Sequence, residues 1–561
     1  MKKWQLQSKT VVKNKDQLLE VLLKNRHINK NQVEDFFQIK HPETWQLADL
    51  DFSLRNFNKI KKRLDQAKIN KERVYIFGDY DSDGICAVAI LWEGLRTLGI
   101  NSLPFIPERQ KHGYGLSIKA LKDLFAKHGK PDLLITVDNG IVALPALEYL
   151  VKQKVSVIVT DHHQANQEKI PALAVFHSTQ ICGAAVAWFL LKELFKDGGQ
   201  KNDEQLNDLL SLVAIATVTD LMPLIGVNRS LVSFGLTALK NTQRPGLLAL
   251  YQLAGLRIEE LSTYHLGYVI GPRINAMGRL ADSMEALRLL CTNDMARAKK
   301  LANLVHDTNL ERQDLTKDLI EQAEASLTST DKKAKILIID GDYHEGVIGL
   351  LAGKLSEKYL KPCIVLAVPK NAQAKDTIIK ASARSLAGFN ITDFLRQIED
   401  QLLSVGGHRL AAGFSVSLEN LSVVKKQLKL LASQQLAGVL LEAQIEVDCQ
   451  ILASLLNLDT ALALEAFTPY GNANPQPVFL LKNVLLQNLQ SLGTEGKHAK
   501  MFFKSQNEKA ELTVLAWRYL EKFKQLKMGK HYDLLVSIAV NYWQNNSKLQ
   551  ITLLELRESS L

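Results

Sequence analysis

The sequence predicts an α/β protein built as two α/β lobes joined by a long helix, with a small C-terminal β-barrel after them. Three observations carry that expectation. Short apolar runs at residues 74–77, 134–137 and 155–159 alternate with segments of helical spacing, as buried parallel strands do. A second alternation opens at Lys335-Ile336-Leu337-Ile338-Ile339-Asp340 and runs to about residue 432. Between the two, residues 295–327 hold neither Pro nor Gly and repeat apolar side chains at Leu301, Leu304, Val305, Leu315 and Leu319, the pattern of one long helix.

The remaining segments follow from these. Residues 1–65 read as a mainly helical N-terminal region ending in Lys59-Ile60-Lys61-Lys62-Arg63. The first lobe is expected over 66–285, the connecting helix over 286–330, the second lobe over 331–432 and the barrel over 440–558. The barrel is read from strand-like runs such as Val478-Phe479-Leu480-Leu481 and Leu534-Leu535-Val536-Ser537-Ile538.

Bulk properties narrow the function classes. Lys plus Arg number 69 against 59 Asp plus Glu, a net charge of +10 that favours a polyanionic partner. The five cysteines lie far apart with no C-x-x-C pair, which suits reduced thiols better than a disulfide frame or a zinc site. No signal-peptide pattern follows Met1-Lys2-Lys3, and no uncharged apolar run is long enough for a membrane span, so a cytoplasmic protein is expected.

Chemistry concentrates just past the apolar runs. Asp79-Tyr80-Asp81-Ser82-Asp83-Gly84, Asp138-Asn139-Gly140 and Asp161-His162-His163 each follow one of them, and an apolar helix over 209–219 delivers Asp220. Strand ends of an open α/β sheet meet at one crevice, so these groups are expected to converge. Asp79, Asp81 and Asp83 share parity, which places them on one side of an extended tip. Two carboxylates about 4 Å apart repel by roughly 4 kcal/mol at an effective dielectric near 20, a cost that a divalent cation removes. Carboxylates with one or two imidazoles suit Mn²⁺ or Mg²⁺. Two such ions stabilise both the attacking and leaving oxygens of a phosphate.

These motifs resemble those of the DHH phosphoesterase superfamily, and Gly406-Gly407-His408 with Ala411-Ala412-Gly413 resembles its DHHA1 domain. The order and spacing from about residue 60 to 558 resemble the RecJ family of bacterial single-strand-specific 5′→3′ DNA exonucleases. The resemblance implies Asp81, Asp83, Asp138, His162 and Asp220 as ligands of two divalent cations, with Asp138 as the bridge and Asp79 beside them. It implies that His163 faces the scissile phosphate and that Asp161 holds a histidine by hydrogen bond. Single-stranded DNA is the implied partner, in repair and recombination, with a single-strand-binding protein and a RecQ-type helicase as companions.

The same resemblance points to substrate contacts. Arg109 and Tyr114 lie in Pro107-Glu108-Arg109-Gln110-Lys111-His112-Gly113-Tyr114-Gly115, which by itself also suits an ordinary basic surface loop. Arg273, Asn275 and Arg279 stand among the glycines of 271–280 and are implied to touch the strand backbone or its 5′ end. Arg384, Ser385 and His408 are the implied DHHA1 contacts, although Ala381 stands where the family often has glycine. In the barrel, read as an oligonucleotide-binding (OB) fold, Lys500 lies among Phe502, Phe503, Trp517, Arg518, Tyr519, Tyr542 and Trp543, rings and cations suited to bases and phosphates. The open alternative is a related phosphodiesterase of short oligonucleotides or cyclic dinucleotides, which uses the same metal chemistry.

Overall fold

The computed structural model describes residues 3–113, 115–165, 169–198, 202–372, 374–437, 444–493, 496–505, 508, 510–519, 526–543 and 546–559. The chain forms two compact units, one of Trp45–Met222 with Phe234–Ala443 and one of Met1–Thr44, Pro223–Ser233 and Gln444–Leu561. Two short strands open it, β1 (Lys3–Leu6) and β2 (Val11–Val12), and both belong to the second of these units.

In the larger unit, β3 (Val74–Phe77), β4 (Ser102–Phe105), β5 (Leu133–Val137), β6 (Ser156–Asp161) and β7 (Ala174–His177) form a five-stranded sheet. Its order is β4-β3-β5-β6-β7 and every pairing is parallel. The apolar runs are continuous because both faces are covered; all of β3 and β5 is buried. The register sets Phe77 against Thr136 and Val137 against Thr160, so these strands finish level and aim their following residues at one edge. Helices Ser82–Thr97, Gly183–Asp197 and Asp203–Thr219 bury long, mostly apolar stretches, Ile85–Leu91, Ala184–Leu191 and Leu209–Ala216 among them.

The second lobe of this unit carries β8 (Leu337–Gly341), β9 (Cys363–Ala367), β10 (Ile378–Arg384), β11 (Ser404–His408) and β12 (Ala411–Ser417) in the order β11-β12-β10-β9-β8. Only β8 and β9 run parallel. Along β10, Ile379, Ala381 and Ala383 enter the core, while Lys380, Ser382 and Arg384 line the other face. The methyl of Ala381 is thus core packing and does not crowd that face. The connecting helix is Met295–Ser326, 32 residues long. Leu301, Val305 and Leu319 are buried as expected, but Leu304 is 43% exposed, and Thr308 and Asn309 take the buried positions that follow.

The smaller unit carries β13 (Gln444–Val447), β14 (Cys449–Ile451), β15 (Phe479–Leu492), β16 (His498–Ser505), β17 (Glu511–Ala516), β18 (His531–Trp543) and β19 (Asn546–Glu558). The order β16-β17-β19-β18-β15 closes through a β15–β16 pairing into a five-stranded barrel around Phe479, Met501, Phe503 and Leu534. Residues 1–65 do not stand as a helical region of their own. β1 pairs in parallel with β13 and β2 with β14, and Leu18, Leu22 and Phe36 join the barrel core. The missed signal is alternation in only a few residues, too short for a periodicity argument.

Candidate metal centre and strand cleft

At the carboxyl ends of β3, β5 and β6 the acidic motifs come together. The expected extended tip is absent, because the chain turns into a helix at Ser82. Asp81 is its N-cap, with Oδ1 accepting from the amides of Asp83 and Gly84 at 3.0 and 3.1 Å. Asp83 sits in the first turn and faces another helix: its two oxygens each accept an amide at 2.7 Å, from Gly183 and Ala184. Thus one carboxylate locks the starts of two helices together beside the strand ends. Asp138 takes a left-handed backbone (φ 59°), which aspartate tolerates better than most residues. A Cβ at Gly183 would lie 2.6 Å from Asp138 Oδ1, so only glycine lets that helix start so close. Asp220 is the C-cap of Asp203–Thr219.

Three sets of ligand atoms lie within 4.8 Å of one another among the described residues: Asp79, Asp81 and Asp138; Asp138, His162 and His163; Asp83, His162 and Asp220. Asp138 and His162 each belong to two of the sets. His162 Nε2 lies 3.2 Å from Asp138 Oδ1, 3.6 Å from Asp83 Oδ2 and 3.7 Å from Asp220 Oδ2. Asp161 has a different part. Its oxygens accept from the amides of Ile141, His162 and His163 and from His163 Nδ1 at 2.8 Å, so it aims His163.

The electrostatics are those of a cation site. Burial, and then Asp81, pushes Asp79 up to about 8; burial, and then Asp83, does the same to Asp220. Asp138 is raised well above the ordinary carboxylate range by burial and by Asp83, Asp81 and Asp79, and Asp81 is raised by burial and Asp83. Burial lowers His162, leaving a neutral imidazole with a lone pair to give. Burial opposes the charge on His163, but the Asp161 hydrogen bond together with the charges of Asp161, Asp220 and Asp79 outweighs it and raises His163 to about 9. Asp79 Oδ2 and Asp138 Oδ1 are buried and receive no hydrogen bond. Oxygen-rich donors with one or two imidazoles, two of the oxygens unsatisfied, fit Mn²⁺ or Mg²⁺.

Beside the centre, Arg109 lies over the Tyr80 ring at 5.3 Å, and the neighbouring Gln110 meets His344 of the second lobe at 2.7 Å. Tyr114 lies outside the described residues. Arg279 Nη1 donates to Gly346 O at 3.0 Å, a second bridge between the lobes. Arg273 donates to Val269 O and to His306 Nδ1. Asn275 spends its amide oxygen on the Ser82 amide at 2.8 Å, holding the acidic turn in place. Arg384 packs against Gly349 at the start of helix Ile348–Tyr359 and donates to Ser382 Oγ. Ser385 donates to Phe389 O, so its hydroxyl proton is turned back into the lobe, whereas His408 is exposed on β11.

In the barrel unit, Lys500 stands 5.4 Å from the Phe502 ring, and Trp517 and Tyr542 are about half exposed, while Phe503 is core. The side chain of Trp543 lies outside the described residues. Sequence reasoning passed over Asn309 and Arg312 on the connecting helix. The break in its apolar stripe at 308–312 is the signal that marks them.

Comparison with known proteins matches these parts in order. The DHH family N-terminal domain matches residues 73–217, the DHHA1 domain 331–434 and the RecJ OB domain 447–555. The single-stranded-DNA-specific exonuclease RecJ of Thermus thermophilus is 31% identical over 514 residues, 90% of this chain and 71% of that protein. RecJ of Bacillus subtilis is 29% identical over 510 residues, 89% of this chain, which spans 63% of that longer protein. The crystal structure of Thermus thermophilus RecJ in complex with Mn²⁺ superposes with a TM-score of 0.80 at 28% identity, covering 100% of this chain and 80% of that one. The same protein has also been solved with Mg²⁺, with a TM-score of 0.74 to this chain at 26% identity, covering 100% and 79%. On its sequence, its order of domains and its fold, this chain belongs to the RecJ family.

Proposed function

We propose that this protein is a single-stranded-DNA-specific exonuclease that hydrolyses phosphodiester bonds from the 5′ end with two divalent cations, in DNA repair and recombination. The observation that carries the reading is the carboxylate cluster with Asp138 shared between two ligand sets. Asp81, Asp83, Asp138, His162 and Asp220 hold the ions, and Asp79 supplies a further oxygen beside them. When bound, the ions lower the pKa of water and offset charge on the attacked phosphate.

The chain's own groups do the rest. His163, held by Asp161, faces the phosphate and steadies its oxygens. Arg109, Arg273, Arg279, Arg384 and His408 bind the strand, and Asn275 and Ser385 contribute by holding the backbone around them. The lobes approach at Gln110–His344 and Arg279–Gly346, which supports a path for one strand and not two. The OB unit, with Lys500, Trp517 and Tyr542, supports a long polymer over a dinucleotide.

Among the described residues no helix is long and apolar enough to cross a membrane, and Cys86, Cys182, Cys363 and Cys449 are buried free thiols. We assign the protein to the cytoplasm, with a single-strand-binding protein and a RecQ-type helicase supplying its substrate. Strands labelled at either end and digested with Mn²⁺ or Mg²⁺ test the reading. Release of the 5′ label first is expected; loss from the 3′ end first, or cleavage of dinucleotides alone, overturns it.

A further inference from the structure

Helix Met295–Ser326 packs with Leu301 and Val305 on its buried side, and then the apolar stripe is interrupted before Leu319. Thr308 satisfies itself by donating to Leu304 O at 2.8 Å. Asn309 does not. It is 1% exposed, its oxygen accepts from Arg312 Nη2 at 3.0 Å, and its Nδ2 is buried without an acceptor. Arg312 Nε is buried without an acceptor as well. Two unmatched donors on adjacent side chains are costly to bury, so a packing role alone explains them poorly.

Charge points the same way. Among the described residues, Arg312 has no carboxylate partner, and neither do Arg109, Arg273, Arg279 or Arg384. Burial, and then Arg273, lowers Arg312; burial, and then Arg109 and Arg312, lowers Arg279 to about 10. These guanidiniums repel one another, and of them only Arg109 feels a carboxylate, that of Asp79. A helix residue steered into such a set by a buried amide suits an anion with several oxygens.

We propose that Arg312, steered by Asn309, binds a backbone phosphate of the substrate strand, so that the connecting helix forms part of the strand path. The proposal rests on the single-strand reading above and adds residues to it. Asn309 is a positioning residue; Arg312 makes the contact.

Two variants of the full chain test this, with binding to fluorescent oligothymidylate followed by anisotropy in EDTA over a range of salt. Arg312→Gln is expected to weaken binding about tenfold and to reduce the slope of log K against log salt by about 0.7. Arg312→Lys is expected to keep most of that slope. Asn309→Asp gives Arg312 an internal carboxylate, so it is expected to raise the melting temperature while lowering strand affinity. A structural role alone predicts lower stability but unchanged strand affinity in Arg312→Gln, and a more stable Asn309→Asp that binds like wild type. Wild-type affinity and salt slope in either folded variant overturn the proposal. If wild type itself fails to bind single strands, the single-strand reading falls, and this failure is separate from any effect of the variants.

Discussion

Replacing Asp138 with Asn separates the cost of the metal centre from its use. Asn keeps the shape of the side chain and tolerates the left-handed backbone at φ 59°, so folding of the turn is retained. Without metal, the folded-state carboxyl of Asp138 is raised well above the ordinary value by burial and by Asp83, Asp81 and Asp79. The folded protein therefore binds a proton here that the unfolded chain has released. A raised folded pKa gives stability that is full below about pH 4 and falls as pH rises toward the folded value. Each such group contributes a slope of about −1.4 kcal/mol per pH unit. Asp138→Asn removes one linked proton, so above about pH 4 the variant should lose stability less steeply than wild type, by up to about 1.4 kcal/mol per pH unit. For a unit of this size, Trp45–Met222 with Phe234–Ala443, each kcal/mol is about 1–2 °C in melting temperature. The assay is thermal unfolding in EDTA at several pH values, repeated with Mn²⁺. The variant should melt higher than wild type without metal, gain less from Mn²⁺ and cleave no DNA. Parallel pH curves in EDTA, or an equal gain from Mn²⁺, would refute the placement of Asp138 among buried like charges.

Other outcomes are expected from the same geometry. Gly183→Ala puts a Cβ 2.5 Å from that of Asp138, so Mn²⁺ affinity by calorimetry should fall about 10–100-fold; unchanged affinity would mean the helix start can shift freely. In the metal-free protein, the His163 ring should titrate near 9 by NMR, and Asp161→Asn should bring it down to or below 6.5. Because the folded pKa is raised, the stability that this pair contributes is full below about 6.5 and lost through about 9, and Asp161→Asn should flatten that alkaline limb. Lys500→Ala should weaken binding of long strands and lessen its salt dependence while sparing hydrolysis of very short ones; an equal loss on both would count against a phosphate contact in the barrel.

The acidic motifs were legible because each stands directly after a buried strand, and a parallel sheet brings such positions to one edge whatever the loops do. Their local conformation was not. Parity suggested an extended tip, whereas a cap hydrogen bond at Asp81 starts a helix at Ser82, three residues before its first apolar residue, Ile85. Asn275 shows a second limit: its residue type suits phosphate, yet its amide oxygen is committed to the Ser82 amide, a pairing 193 residues apart in sequence. The barrel was readable from its long strands, but not the two short strands that extend its unit from the other end of the chain. Strand ends were legible from local pattern, whereas a cap bond at Asp81 and the long-range pairings of Asn275, β1 and β2 were not.

The pairing of β1 with β13 and β2 with β14 has a bearing on biosynthesis. The first dozen residues leave the ribosome long before their partners exist, and meanwhile Val12, Leu18 and Leu22 have nothing to cover them. The nuclease lobes are encoded in the interval and need neither terminus to complete their sheets. The two α/β lobes are thus free to form during translation, while the unit that holds β1 and β2 can assemble only once β13 and β14 have been made. A chain broken off before β13 would leave Val12, Leu18 and Leu22 without the barrel core that buries them.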